Sequence, residues 1–445
     1  MKKSPLFLVA LALTGCTWSL QDVDRAADAL KAEILSAESI SPEGFAVTYY
    51  ISSDGDDSAD GLAPETAWRT LDRLCAEPLA QGSLVLFRRG DVWRGQINAA
   101  DGVTYSSYGE GPKPCIYGSP CDGAKEGEWT LTDTPDVWVY SRPFGTDVGA
   151  LVFNDGAEGC SVKQYSYGFD SDLQMYHDVE GDGLVYLCSR SGNPAERFSS
   201  IEFLTKGHCI VVGKDMSTKF DNLCIKYTGS HGIGSGSAVS LEVTNCEFGW
   251  IGGSIQMAGN NFGVEGVPTR YGNAIEIWGG CEHYLVDHNW IYQVYDAGIT
   301  HQWKGGTEPV TMSDVTISNN LVEDCTYGIE YFLKEAEIVE GELPERIMKD
   351  ILYTGNILRR AGYGWGTQRP DKATPALIKS WDEGGKRAEN FVIENNVFDR
   401  GKPSLLQTVA APEDLPVYRH NTYFQQKGVS PGSFPMEKTG KIHWL

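Results

Sequence analysis

The chain has 445 residues, and 60 Asp and Glu against 37 Lys and Arg give it a formal net charge of -23 at pH 7. Without a basic cluster, that balance argues against a nucleic-acid partner, although a small basic cleft can still sit on an acidic body. The length suits two or three ordinary domains or one elongated repeat domain with additions, and 12 Trp and 21 Tyr suit stacking on sugar rings as well as packing.

Residues 1–15 carry two lysines and an apolar run, which read as an export signal. Leu13-Thr14-Gly15-Cys16, spanning the end of this segment and the residue after it, resembles the bacterial lipobox. The resemblance implies cleavage before Cys16, lipidation of its thiol and a protein tethered to a bacterial membrane, at the outer membrane or cell surface, without spanning it. An ordinary secretory signal with a chance cysteine is the plainer alternative. No later run is long and apolar enough to cross a bilayer. Residues 16–45, with a charged, helix-compatible lead from Leu20 to Ser36, read as a spacer. Ten further cysteines follow, and an exported location permits disulfides. Cys115 and Cys121, across "CIYGSPC", are best placed for a local bridge, while Cys224 and Cys246 read as small buried residues in strands. None has zinc-ligand spacing.

Residues 46–128 open with the alternating strand "VTYYIS", a Gly-Asp-Asp turn, and "TAWRTLDRL", a short amphipathic helix with Thr66 as its expected cap. With "DGLAPETAWRTL" followed by "FRRGDVWRG", this opening resembles bacterial exported right-handed parallel β-helix proteins of the pectate-lyase superfamily. From 129 to 203, "DVWVYSRPF", "ALVFNDG" and "DGLVYLCSR" alternate aromatic and polar residues between tight turns, as an antiparallel β insertion would. From 204 to 445 a repeat dominates: "LEVTNCEFGW", "YLVDHNWIYQ", "VTISNNLVED", "ILYTGNILRR" and "FVIENNVFDR" superpose and bring Asn245, Asn289, Asn320, Asn356 and Asn396 together as a structural turn ladder. The expected fold is all-β: a right-handed parallel β-helix with an inserted antiparallel β subdomain and a short N-terminal capping helix.

The next strand of each coil points to chemistry. In Ser254-Ile255-Gln256, Ala274-Ile275-Glu276, Gly298-Ile299-Thr300, Gly328-Ile329-Glu330 and Gly364-Trp365-Gly366 the central apolar residue points inward, so alternation sends Gln256, Glu276, Thr300, Glu330 and Gly366 outward in a column. Glu276 and Glu330 then lie two rungs apart, about 9 to 10 Å, near the carboxylate separation of inverting glycosidases, about 6.5 to 9.5 Å. Asp296, at the start of the middle strand, can approach either glutamate. Such groups can divide acid and base roles; exposed positions on a solvated sheet face are the plainer alternative. Trp278, Gln302, Trp303, Tyr331, Trp365 and Gln368 lie nearby and suit a sugar cleft. His301 is a candidate base, although strict alternation buries it. Lys304 is a candidate binder of an acidic group, Arg359 and Arg360 lean towards structure, and the excursion from Gly364 to Asn390, with Arg369, Lys372, Lys379 and Glu383, is a natural lid.

The superfamily resembled contains glycoside hydrolases, polysaccharide lyases and non-catalytic proteins, so fold leaves the reaction open. The first expectation is a glycoside hydrolase acting on a complex polysaccharide through Glu276, Asp296 and Glu330, with no cofactor, as a monomer. The alternatives are a lyase on a uronate polymer, using His301, Lys304 or Tyr331 as base and with Ca²⁺ entering only in that case, or a non-catalytic glycan-binding β-helix.

Overall fold

The computed structural model describes residues 18–259, 266–304, 306–333, 339–342, 344–369, 373–381, 386–408, 416–432, 437 and 440–445. Cys16, with Lys372 and Glu383 of the expected lid, lies outside the described residues. Parallel strands among the described residues stack into three long sheets of ten, ten and nine strands, one strand of each sheet per coil over most of the chain. The nine-stranded sheet positions the site. It comprises β1 (Ile97–Asn98), β2 (Ile210–Val212), β3 (Ile233–Ser235), β4 (Ile275–Trp278), β5 (Ala297–Trp303), β6 (Tyr327–Leu333), β7 (Ala376–Ser380), β8 (Ser404–Gln407) and β9 (Ser430–Gly432), paired in that order.

Strand alternation sets its two faces. Ile210, Ile233, Ile275, Ile299, Ile329 and Ile378 follow one another in register along the inner face, each at most 1% exposed. Each buried isoleucine contributes about 1.5 to 3 kcal/mol, which fixes the register and therefore what faces outward. At the turns, Asn289, Asn320, Asn356, Asn396 and Asn421 form a ladder in which each side-chain oxygen accepts the backbone N–H of the preceding rung. Asn245 is not a rung: Cys246 takes that position, while Asn245 sits one residue earlier at φ 52, where His288 and Asn319 have the same conformation.

Helix α1 (Leu20–Leu35) opens with a capping box between Ser19 and Asp22. It is no loose spacer. Val23 and Ala27 pack on Leu321, Ile357, Val397 and Phe424 outside the coils, Asp24 pairs with Arg359, and Lys31 lies 3.5 Å from the Trp290 ring centre. Helix α2 (Leu71–Ala76) covers the open end of the core with Leu71 and Leu74, and its cap is Thr70, whose hydroxyl accepts the Arg73 N–H, rather than the expected Thr66.

Between residues 129 and 205, two antiparallel sheets of the described residues interrupt the coils, one of Trp129–Leu131, Val137–Tyr140, Met175–His177 and Val185–Cys188, the other of Val148–Phe153, Cys160–Val162 and Ile201–Thr205. They share a core of their own, with Trp129, Tyr140, Phe153, Leu187 and Phe203, and meet the coils through Val152, Leu204, Trp250, Tyr295 and Trp365. The ten cysteines from Cys75 to Cys325 are free thiols, so the expected Cys115–Cys121 bridge is not formed. Cys115 is fixed on a strand in register with Cys224, whereas Cys121 turns towards the inserted core, 3.3 Å from the Tyr140 hydroxyl.

Candidate active site

The outer column of the nine-stranded sheet runs Asn98, Val211, Gly234, Glu276, Thr300, Glu330, Lys379, Gln407, each in register with the next. Glu276, Thr300 and Glu330 stand where alternation predicts. Gln256 and Gly366 do not belong to the column: Gln256 lies in an antiparallel hairpin formed by Ile255–Met257 and Thr269–Arg270, and Gly366 in a 3-10 turn over Trp365–Gln368. Excursions displace both segments, and the rungs they were expected to fill are occupied by Gly234 and Lys379.

The column is covered rather than solvated. Glu276 and Glu330 are each 6% exposed, Thr300 and Lys379 at most 1%. Three N–H groups surround Glu276: the Asn273 amide donates to Oε2, the Gln302 amide lies 3.4 Å away, and His231 Nε2 lies 3.2 Å away. The His231 tautomer follows from its other nitrogen. Nδ1 accepts the Asn273 backbone N–H at 2.9 Å, so the proton sits on Nε2, facing the carboxylate. Burial keeps this ring neutral, its pKa lowered to about 3, so the contact is not an ion pair. The Tyr271 ring stacks on His231 at 5.6 Å.

Glu330 accepts from the Trp381 indole N–H at 2.7 Å. Its neighbour Lys379 donates to Thr374 at 2.9 Å and Gln407 at 2.8 Å, with its nitrogen 3.7 Å from the Trp381 ring centre. Asp296, just before β5, is paired with Arg369 at 2.8 Å. Burial is the largest cause of the shifts that follow. It lifts Glu276 to about 7 with help from the Asp296 charge, against the N–H donors of Asn273 and Gln302. It lifts Glu330 to about 8, again with Asp296, against Trp381 and Lys379. It also lowers Lys379 to about 8, although Glu330 pulls the other way. An ordinary ion pair would lower the acid and raise the base, so desolvation outweighs their mutual attraction.

Among the described residues, no three of His, Cys, Asp and Glu come together to hold a metal ion. The N–H donors around Glu276 favour its ionised form against the burial that disfavours it.

The family described as right handed beta helix region matches residues 208–342. Among solved structures, that of XylC with xylose superposes with a TM-score of 0.50 at 11% identity, over 89% of this chain and 71% of that one. The chain is a right-handed parallel β-helix. The GH136 lacto-N-biosidase from Eubacterium ramulus is a looser match, with a TM-score of 0.38 at 13% identity over 90% of this chain and 67% of that one. No curated protein matches the chain.

Several expected site residues lie elsewhere in this β-helix. His301 and Tyr331 point inward, at 0% and 2% exposure, their rings stacked 5.9 Å apart, and His301 Nε2 meets the Tyr353 hydroxyl at 2.5 Å. Neither reaches the outer face, as alternation requires when Thr300 and Glu330 point out. Trp365 bonds the Gln293 carbonyl at 2.7 Å and packs against the insertion, and Gln368 is exposed beside Cys160. Trp303 faces the core side, and Lys304 is exposed just beyond β5. Trp278 and Gln302 do share the outer face, with Phe332 on the next rung. Sequence reasoning missed His231, Asn273, Tyr271 and Trp381. The signal available for His231 was "SHGIGS", whose Ile233 aligns with Ile275 once the hairpin is recognised as an excursion.

Proposed function

We propose that the protein is a glycoside hydrolase that cleaves a complex polysaccharide at this column, with Glu330 as general acid and Glu276 as the base that takes a proton from water. The arrangement that carries the reading is a pair of covered carboxylates two rungs apart, each raised into the neutral range by burial and each within reach of aromatic rings. Two rungs correspond to about 9 to 10 Å between backbones, and side chains that lean towards each other reach the spacing of an inverting pair, about 6.5 to 9.5 Å. Water then fits between base and sugar.

The charge on Asp296, neutralised in part by Arg369, opposes a second and third charge nearby and so keeps the proton on Glu330. Trp278 and Trp381 supply faces for sugar rings. The sugar bound to XylC, a protein of similar fold, is consistent with this reading. One feature favours elimination instead: Lys379, lowered to about 8, could serve as the base of a lyase.

The products separate the two. On a panel of neutral and uronate polysaccharides, hydrolysis yields new reducing ends without the ultraviolet absorbance of an unsaturated uronate. Strong new absorbance would establish elimination, and no product from any polymer would reject catalysis.

A further inference from the structure

His208, directly before β2, repeats the geometry of His231 one coil earlier. Its ring stacks on His231 at 4.9 Å with the planes 8° apart, and its Nδ1 accepts the His231 backbone N–H at 3.1 Å, as His231 Nδ1 accepts that of Asn273. Its proton therefore also sits on Nε2. Burial and the neighbouring His231 hold the ring neutral.

The difference lies in what each N–H meets. His231 faces Glu276, whereas the residue in register one coil earlier is Gly234, which brings no side chain to accept a hydrogen bond. A Cβ on Gly234 would lie 3.2 to 3.3 Å from three atoms of the His208 ring, so the imidazole stands directly over this glycine. Among the described residues no group bonds His208 Nε2. The column also opens here: Gly234 and Val211 are half-buried and Asn98 is exposed, in contrast to the covered rungs from Glu276 to Lys379.

We propose that His208 Nε2–H is the hydrogen-bond donor of a sugar subsite one coil to the N-terminal side of Glu276, with Gly234 and Val211 as its floor and an oxygen of the second sugar unit from the cleaved linkage as its ligand. The assignment rests on the glycoside hydrolase reading. A neutral donor that meets such an oxygen changes affinity by about threefold to tenfold.

The test uses the full-length protein and oligosaccharides of increasing length cut from whichever polymer it cleaves. In His208→Asn the amide oxygen can still accept the His231 N–H, but no donor remains at the Nε2 position. KM is expected to rise about threefold to tenfold, with kcat within twofold, only on oligosaccharides long enough to reach the subsite. His208→Gln, whose amide N–H reaches further, is expected to recover much of the loss. Gly234→Ala, which crowds the floor, is expected to give the same length-dependent rise and serves as the independent variant if His208→Asn does not fold. Unchanged KM at every length in a folded variant, with an active wild type, would overturn the subsite and leave the hydrolase reading intact. A wild type that neither binds nor cleaves any glycan of the panel would overturn both.

Discussion

Glu330 keeps its proton near neutral pH because burial costs its anion more than Lys379 and Trp381 return. If Glu276 is the base and Glu330 the acid, as proposed, kcat/KM follows a bell, rising as pH approaches about 7 and falling beyond about 8. A profile flat from pH 5 to 9 would contradict the assignment. The same burial acts on stability. A folded value above the ordinary 4.5 means that Glu330's contribution is present in full below about 4.5 and is lost as pH rises through about 8. Glu330→Gln cannot titrate, so its melting temperature should match wild type near pH 5 and exceed it by pH 9. Each tenfold change in proton affinity is worth about 1.4 kcal/mol, so the difference amounts to a few kcal/mol at most. Buried His208, His231 and His301 titrate alike in both proteins and cancel in the difference. A variant less stable than wild type at pH 9 would mean that the anion is well paired after all.

The asparagine ladder shows how a coil is held at its turn. Asn320 accepts from the Asn289 backbone and amide at 2.9 and 3.0 Å, and donates to Val286 and Asn356 at 2.9 Å each. Asn320→Ala leaves the buried Asn289 N–H without its acceptor and the Val286 carbonyl without its donor, and a loss of about 1 to 3 kcal/mol is expected in chemical denaturation; no loss would mean that the ladder is ornamental. This ladder and the inward isoleucines were legible in the sequence, because a period of two and a recurring asparagine survive any loop length. The coil count was not. Chain between the second and third strands of a coil can leave the stack, as the hairpin carrying Thr269–Arg270 does, and counting along the sequence then assigns Gln256 a rung that belongs to Gly234. Cys246 in an asparagine position shifted the ladder by one residue for the same reason: a smaller buried group can hold the turn when a neighbouring rung supplies the hydrogen bond. Outward position was legible for Glu276 and Glu330, but their covering was not, since His231, Trp381 and Asn273 come from other coils or from loops.

Across the whole molecule, the insertion braces the site. Asp147 joins Lys163 and the Ile255 N–H, tying the inserted sheets to the hairpin that leads into Tyr271, and Tyr271 stacks on the histidine that faces Glu276. Helix α1 is strapped to the coils through Val23 and Ala27, so residue 18 lies at a fixed point on the body. We propose that this point is tethered through a lipid on Cys16: wild type is expected in the membrane pellet and Cys16→Ala in the soluble fraction, and unchanged sedimentation would refute the anchor. In the proposed function, catalysis depends on the paired carboxylates. The most direct measurement is the turnover of Glu276→Gln and Glu330→Gln on the polymer that wild type cleaves, with circular dichroism confirming the fold. Each is expected to lose about a hundredfold to ten-thousandfold in kcat, and wild-type turnover in both would contradict the site.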